Sequence, residues 1–319
     1  MTVILTVCLN PALDITYHVP AVDWSGVNRP STVRTRPGGK GLNVARNLRA
    51  IGAEVQVLGL AGGLTGEAVT VALRELQVAA SFIQIAGETR RTFTVADERR
   101  AAVALFNEPG PRIGHDEYRE FCVSYEKALG HCAAVVLSGS LPPGLPSATY
   151  AELTEMAAAA GVPTVLDAHG EALQRGAAAG PAIVKPNLAE LEAIAGRRLS
   201  TARGAIREAV ASAARALKAA GPQAVVVSLG AEGLWAVTDK GSWQAMPSAE
   251  VAGNPTGAGD AVTAGLVHGL VLGRSWDERL RHAVALGTAS AAAPVAGEFS
   301  RVDYAAALAR VTVHREEDA

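Results

Sequence analysis

Short apolar runs alternate along this chain with longer stretches of helical period. Residues 3–9, 54–60, 133–137, 164–167, 183–184 and 224–228 are dominated by Val, Ile, Leu and Ala and read as strands. Residues 41–52, 65–76, 149–160 and 201–220 read as helices, and another is predicted over 261–272. The strands are apolar throughout rather than alternately apolar and polar, so both faces of their sheet must be covered. That pattern predicts an α/β fold with a mostly parallel sheet and helices on both sides. The small-residue stretch 283–297 is broken by Gly287, Pro294 and Gly297, and reads as a buried helix and the loop after it.

Residues 14–37 and 88–106 break this rhythm. Both are rich in Thr, Val, Arg and aromatics, and neither has a helical period. Residues 92–95 and 103–106 flank the charged turn Arg99-Arg100 as a β-hairpin would. A small accessory sheet outside the main body is expected, with ordinary surface hairpins as the other reading. No repeat or interdomain linker interrupts the chain, so 1–319 reads as one domain carrying these two insertions.

Composition narrows the function classes. Hydrophobic residues make up 49% of the 319, charged residues 19%, and the formal net charge is -2. Such a balance suits a globular core and excludes a basic nucleic-acid binder or a disordered polyelectrolyte. Cys8, Cys122 and Cys132 have neither disulfide-framework nor zinc spacing, and read as buried, reduced thiols. The apolar start lacks a basic flank and is cut short by Asn10-Pro11, and no apolar run is long enough for a membrane helix, so a cytoplasmic protein is expected.

In parallel α/β sheets ligands bind beyond the carboxyl ends of the strands, and polar or glycine-rich segments follow one strand after another here. The most informative is Gly257-Ala258-Gly259-Asp260, just before a predicted helix. Glycines permit close backbone approach, a helix N-terminus favours an anion, and a carboxylate there can accept a proton from an attacking hydroxyl. Asp260 as a mere helix cap is the alternative. Gly38-Gly39-Lys40-Gly41 opens the first helix in the same way. Lys40 and Lys185 are two of only five lysines, and both sit in such loops. Lys40 suits a phosphate, or else a solvated helix start. Asn187 and Glu190, three apart at a helix start, could hold a hydrated Mg²⁺ through its waters, or could simply form a capping box. No Walker-type loop, dinucleotide fingerprint or nucleophile elbow is present.

Taken in order, these segments resemble the ribokinase-like (phosphofructokinase B) sugar kinases, in the branch of 1-phosphofructokinase and tagatose-6-phosphate kinase. The resemblance rests on residues 9–14, 27–29, 38–46, 88–90, 107–111, 138–144, 185–190, 228–230 and 257–260, and so runs nearly end to end. It implies a three-layer α/β sandwich with a small β-sheet lid formed by the two helix-poor regions. Asp260 would be the base, and Gly257, Ala258 and Gly259 the anion hole. Asp14, Gly39, Lys40, Asn43 and Ser138 would hold the sugar, and Arg29 and Arg90, with Lys40, its phosphate. Lys185, Asn187, Ser228, Gly230 and Gly233 would serve ATP, with Asn187 and Glu190 serving Mg²⁺. Relatives often dimerise through their lids, which implies a homodimer.

The implied activity is ATP-dependent phosphorylation of a ketohexose monophosphate. A kinase for an unphosphorylated sugar or nucleoside, and a non-catalytic sugar-binding regulator, are the other readings. Val27 and Lys40 depart from the minor 6-phosphofructokinases, where the first position tends to be lysine and the second glycine. Asn254-Pro255 replaces the more usual Asp-Thr or Ser-Thr and puts a monovalent-cation site in doubt. His169, after Asp167-Ala168, is expected to be a loop residue without a catalytic role.

Overall fold

A computed structural model describes residues 2–199, 205–248, 256–293 and 298–316. The first strand, β1 (Ile4–Cys8), leads into β2 (Ala12–Val19) and β3 (Thr32–Gly38), followed by α1 (Lys40–Ala50), β4 (Val55–Ala61), α2 (Gly63–Glu75) and β5 (Ala79–Gln84). A hairpin of β6 (Arg90–Asp97) and β7 (Ala102–Asn107) comes next, then α3 (His115–Leu129), β8 (Ala134–Ser138), α4 (Thr149–Ala159), β9 (Thr164–Asp167) and α5 (Gly170–Ala178). The next segment holds β10 (Ile183–Val184), α6 (Leu188–Ala195), α7 (Ala205–Ala219) and β11 (Val225–Ser228). The chain closes with β12 (Leu234–Thr238), β13 (Gly241–Met246), α8 (Ala258–Val271), α9 (Trp276–Ala292), α10 (Arg301–Leu308) and β14 (Thr312–Glu316).

Among the described residues the main sheet has ten strands in the order β14-β13-β12-β11-β10-β9-β8-β1-β4-β5. From β5 to β11 neighbours run parallel, and β12, β13 and β14 add an antiparallel edge. Alternate residues of each parallel strand face opposite helix layers. Leu5, Val7, Val135 and Leu166 share one core with Phe121 and Tyr125 of α3 and Leu153 of α4. Ile4, Val57, Val136 and Val165 share the other with Leu42 of α1, Leu73 of α2 and Leu266 of α8. The fully apolar strands thus have the physical reason the sequence suggested, and the fold is the expected three-layer sandwich.

Both helix-poor regions join one small sheet of order β3-β2-β6-β7. Its central pair β2–β6 is parallel and its outer pairs are antiparallel. The β6–β7 turn falls where Arg99-Arg100 predicted it. Asp97 holds it by accepting from the backbone N–H groups of Arg100 and Val22.

Several elements escaped the sequence reading: β5, α3, α5, α9 as a full helix, α10, and the antiparallel edge β12–β14. In the last of these β12 is apolar and buried, but β13 carries buried Ser242 and Gln244 beside Trp243, and β14 is largely exposed. The part of the predicted helix at 201–204 lies outside the described residues. Cys8 is buried, but Cys122 and Cys132 are only half-buried, which corrects the expectation of three buried thiols. Among the described residues no helix is long and apolar enough to cross a membrane.

Candidate active site

The helix after the glycine turn begins earlier than its apolar pattern implied. Gly257 caps α8 with φ 85°, a left-handed conformation costly for any residue with a side chain. Ala258 and Gly259 are the first helical residues, so their N–H groups lack intrahelical acceptors and point outward at the positive end of the dipole. Asp260 therefore lies inside the first turn. Its side chain makes no cap hydrogen bond to that helix. It is 5% exposed, and its Oδ2 accepts from Asn43 Nδ2 of α1 at 2.9 Å. The capping alternative for Asp260 is thereby replaced by a contact between two helices.

Lys40 is the first residue of α1, where Gly39 at φ 102° turns the chain into the helix. Its ammonium points inward rather than to solvent, with Nζ 2.9 Å from Asp167 Oδ1. The other carboxylate oxygen of Asp167 lies 3.1 Å from Lys185 Nζ and accepts from Thr263 Oγ1 of α8 at 2.8 Å. Asp167, at the end of β9, is fully buried, and Lys185 is 3% exposed. Burial pushes the Asp167 carboxyl up, but the Lys185 and Lys40 charges and the hydrogen bonds from Lys40 and Thr263 outweigh it and hold the group below the usual carboxylate range. For Asp260, burial and then the Asp167 charge push upward against Lys40, Asn43 and Lys185, and the group ends above that range. Two carboxylates thus share two lysines, and their surroundings push their pKa values in opposite directions.

Two cavities meet here. The larger, about 830 Å³, is lined by Asp260, Gly257 to Gly259, Lys185 and Asn187, and further along by Ser228, Gly230 and Gly233. The smaller, about 700 Å³, is lined by Asn10, Arg90, Ser138 and His169 among others. Lys40 lines both. In the smaller cavity two buried polar atoms, Ser138 Oγ and Asn10 Oδ1, have no partner among the described residues. Such orphans are uncommon in a folded chain, and four more among the described residues, on Asn47, Trp235, Arg279 and Ser290, line neither cavity.

The remaining expected residues divide. Arg90 reaches the smaller cavity, but its Nε and Nη1 donate to the carbonyls of Asn10 at 3.2 Å and Glu108 at 3.3 Å. Asp14 lines neither cavity. It accepts from Thr92 Oγ1 of β6, and burial raises its pKa against Thr92 and nearby arginines. Arg29 is exposed in the β2–β3 connection and lines neither cavity, so within one chain the trio Arg29, Lys40 and Arg90 does not converge. Asn187 and Glu190 form the capping box: Asn187 Oδ1 accepts from the Glu190 N–H and Glu190 Oε2 from the Asn187 N–H, both at 2.8 Å. Glu190 Oε1 lies 4.0 Å from Lys40 Nζ. Asn254-Pro255 lies outside the described residues.

The sequence profile of the pfkB family carbohydrate kinases matches residues 9–300. The chain belongs to this family. It is a sugar kinase, a phosphotransferase of the pfkB type. Escherichia coli phosphofructokinase-2, in a structure with potassium, is 30% identical, superimposes with a TM-score of 0.89, and is covered over 97% of this chain and 99% of its own. The same enzyme in complex with fructose-6-phosphate gives a TM-score of 0.86 at 30% identity with the same coverage. A possible 1-phosphofructokinase of Thermotoga maritima is 27% identical, with a TM-score of 0.86 over 99% of this chain and 100% of that one.

In this pfkB-family kinase three residues to which the sequence reading gave no role line the cavities, Asn10, Asp167 and His169, and a fourth, Thr263, stands behind them against Asp167. Asp167 carried a signal, since a carboxylate closing a fully apolar strand must find partners inside. His169 is a loop residue as expected, at the position just before α5, and it also lines the smaller cavity. Thr263 carried none, because a threonine inside a helix commonly bonds back to its own turn, as this one also does to Gly259 O at 3.0 Å.

Proposed function

We propose that this chain transfers the γ-phosphoryl group of ATP to a hydroxyl of a ketohexose monophosphate, giving the bisphosphate. Specificities of the 1-phosphofructokinase or tagatose-6-phosphate kinase type fit best. The observation that carries the reading is Lys40: one ammonium lines both cavities, beside a buried carboxylate at a helix N-terminus. The smaller cavity would take the sugar, with Ser138 and Asn10 meeting its hydroxyls and Arg90 and Lys40 its phosphate. In the larger cavity Asn187, Ser228, Gly230 and Gly233 would face the nucleotide. Gly233 is also required by packing, since a Cβ there would come within 2.0 Å of the Ala245 carbonyl of β13.

Asp260 takes the proton of the attacking hydroxyl. The new O–P bond forms as the bond from the γ-phosphorus to the β–γ bridging oxygen breaks, and ADP leaves. The N–H groups of Ala258 and Gly259, with Lys185, offset the charge on the transferring group. For Mg²⁺ the donor set is an amide and a carboxylate each already accepting from the other residue's backbone N–H, and no cluster of three or more His, Cys, Asp or Glu suited to a metal occurs among the described residues. That fits an ion held through waters and phosphate oxygens, with Asn187 and Glu190 in the outer shell. When bound, the ion neutralises phosphate charge.

We read the four-stranded sheet as a lid on a single domain. Register places Val33, Tyr17, Phe93 and Phe106 on one of its faces. Val33 is 54% and Phe106 51% exposed, an apolar surface suited to pairing with a second copy. Reduced thiols and ATP as substrate suit the cytoplasm.

An ADP-release assay with ATP and Mg²⁺ across fructose 1-phosphate, tagatose 6-phosphate, fructose 6-phosphate and the free sugars tests the reading. Strong preference for one phosphosugar supports it. Turnover of free sugars alone supports the second reading, a kinase for an unphosphorylated sugar, which the outlying position of Arg29 favours.

A further inference from the structure

The amide of Asn43 stands between two groups that fix which way it faces. Its Nδ2 donates to Asp260 Oδ2 at 2.9 Å, and its Oδ1 accepts from Arg46 Nη1 at 3.5 Å. Asn43 and Arg46 are three residues apart on α1 and share a face. A guanidinium has only donors, so Asn43 must turn its oxygen to Arg46 and hence its NH₂ to Asp260. Arg46 is itself held in place. Its side chain is 8% exposed, and its Nη2 pairs with Glu298 Oε1 at 3.2 Å. The same oxygen takes Arg36 Nη1, from strand β3 of the small sheet, at 3.3 Å.

We propose that Arg46 is a positioning residue for Asp260. By donating to Asn43 it keeps the amide in the one orientation that stabilises the ionised carboxylate, leaving Asp260 ready to take the proton of the acceptor hydroxyl. The role rests on the reading of Asp260 as the base. The Asn43–Asp260 pair has two hydrogen-bonded arrangements: amide N–H to carboxylate, or, after an amide flip, carboxylic acid O–H to amide oxygen. The second holds a proton on Asp260 and disables it. It would also turn the Asn43 NH₂ against the guanidinium, donor against donor, so Arg46 selects the first.

The surrounding charges are consistent with action through Asn43 rather than through space. Asp260 is faced directly by Lys40 from α1, Asp167 from the end of β9 and Lys185 after β10. Arg46 is faced by Arg36 from β3, Asp14 from β2 and Glu298. Its ion pair with Glu298 offsets the charge it would project toward Asp260. Because Glu298 also binds Arg36, the small sheet and the base share one chain of contacts.

The test is the pH profile of kcat for the full-length enzyme and for Arg46→Met, Arg46→Lys, Asn43→Ala and the Asn43→Ala/Arg46→Met double variant, with Tm measured for each. Arg46→Met is expected to move the acid limb to higher pH by roughly half a unit to one unit, the worth of one hydrogen bond. Turnover on the acid side should fall by about 3–10-fold accordingly. Arg46→Lys, still a donor and a cation, should restore most of the limb. In the Asn43→Ala background Arg46→Met should move it no further. A lower Tm with an unmoved limb overturns the proposal, and so does an undiminished shift in the Asn43→Ala background. Turnover that survives Asp260→Asn overturns the base reading and the Arg46 role with it, a result distinct from an unmoved limb in an enzyme that needs Asp260.

Discussion

The two ends of the site are built on opposite plans. Around Asp260 the charged groups have partners within the chain: Asp167 holds Lys40 and Lys185, and Asn43 holds Asp260. Around Arg90 the fold is incomplete by its own accounting. Ser138 Oγ and Asn10 Oδ1 are buried without partners among the described residues, and Arg29 lines neither cavity. On the proposed reading, the first end is preorganised for charge that develops during the reaction, and the second is completed by the substrate.

The largest effect should come from the preorganised end. Asp260→Asn is expected to lower kcat by about 10²–10⁴, the usual worth of a positioned base. It should also stabilise the protein. The folded-state pKa of Asp260 lies above its unfolded value, so the ionised group costs stability in full above the folded pKa, and the cost disappears as pH falls toward the unfolded value. The Tm of the Asn variant should therefore exceed that of the wild type most at alkaline pH and converge with it in acid. Undiminished kcat would remove Asp260 from the chemistry. A Tm below that of the wild type at alkaline pH would mean that its charge is better paired than the two-lysine, two-carboxylate arrangement allows.

Asp167→Asn attacks the same end through structure. Removing the anion leaves buried Lys185 without its carboxylate, which costs up to about 3–5 kcal/mol in comparable sites, while the partly exposed Lys40 can turn to solvent at less cost. Urea unfolding would read that loss, and turnover should fall with it as Lys40 and Lys185 separate. A variant of wild-type stability would show that the lysines find other partners.

These two residues also mark what the sequence made legible. Asp260 and both lysines were readable because each sits in a glycine or proline loop where a polar residue needs explaining. The partner that binds the lysines together was not, since Lys40 and Asp167 are 127 positions apart and only the sheet topology brings them together. The parallel core was legible from strands apolar on both faces. Helix α3 was not, because a polar surface covers the stripe that buries Phe121, Tyr125 and Leu129. The start of α8 was misread by three residues, 261 against Ala258, because glycines look like a turn even when they form a helix's first turn. The small sheet was legible only as a break in rhythm. Its parallel β2–β6 pairing joins segments that nothing local connects.

At the unfinished end the effects should be smaller and fall on binding. Ser138→Ala removes a hydroxyl that no described group in the fold uses, so Tm should be unchanged. KM for the sugar substrate should rise about fivefold, the worth of one hydrogen bond made only to a ligand. A drop in Tm with unchanged KM would assign the hydroxyl to the fold.

Arg29 is the sharpest probe of the contrast, although its expected effect is the smallest within one chain. Arg90 lines the smaller cavity and Arg29 does not, so in a monomer Arg90→Met should raise KM for a phosphorylated substrate while Arg29→Met leaves it unchanged. Pairing through the apolar lid face would alter only the second expectation, because a paired lid can carry Arg29 into a neighbouring site. Sedimentation and KM measured on one dilution series separate the cases. An Arg29→Met effect that fades as the protein dissociates would mean that the unfinished end is completed by a second copy. Its absence at every concentration, with Arg90→Met still impaired, would mean that Lys40 and Arg90 recognise the substrate without it.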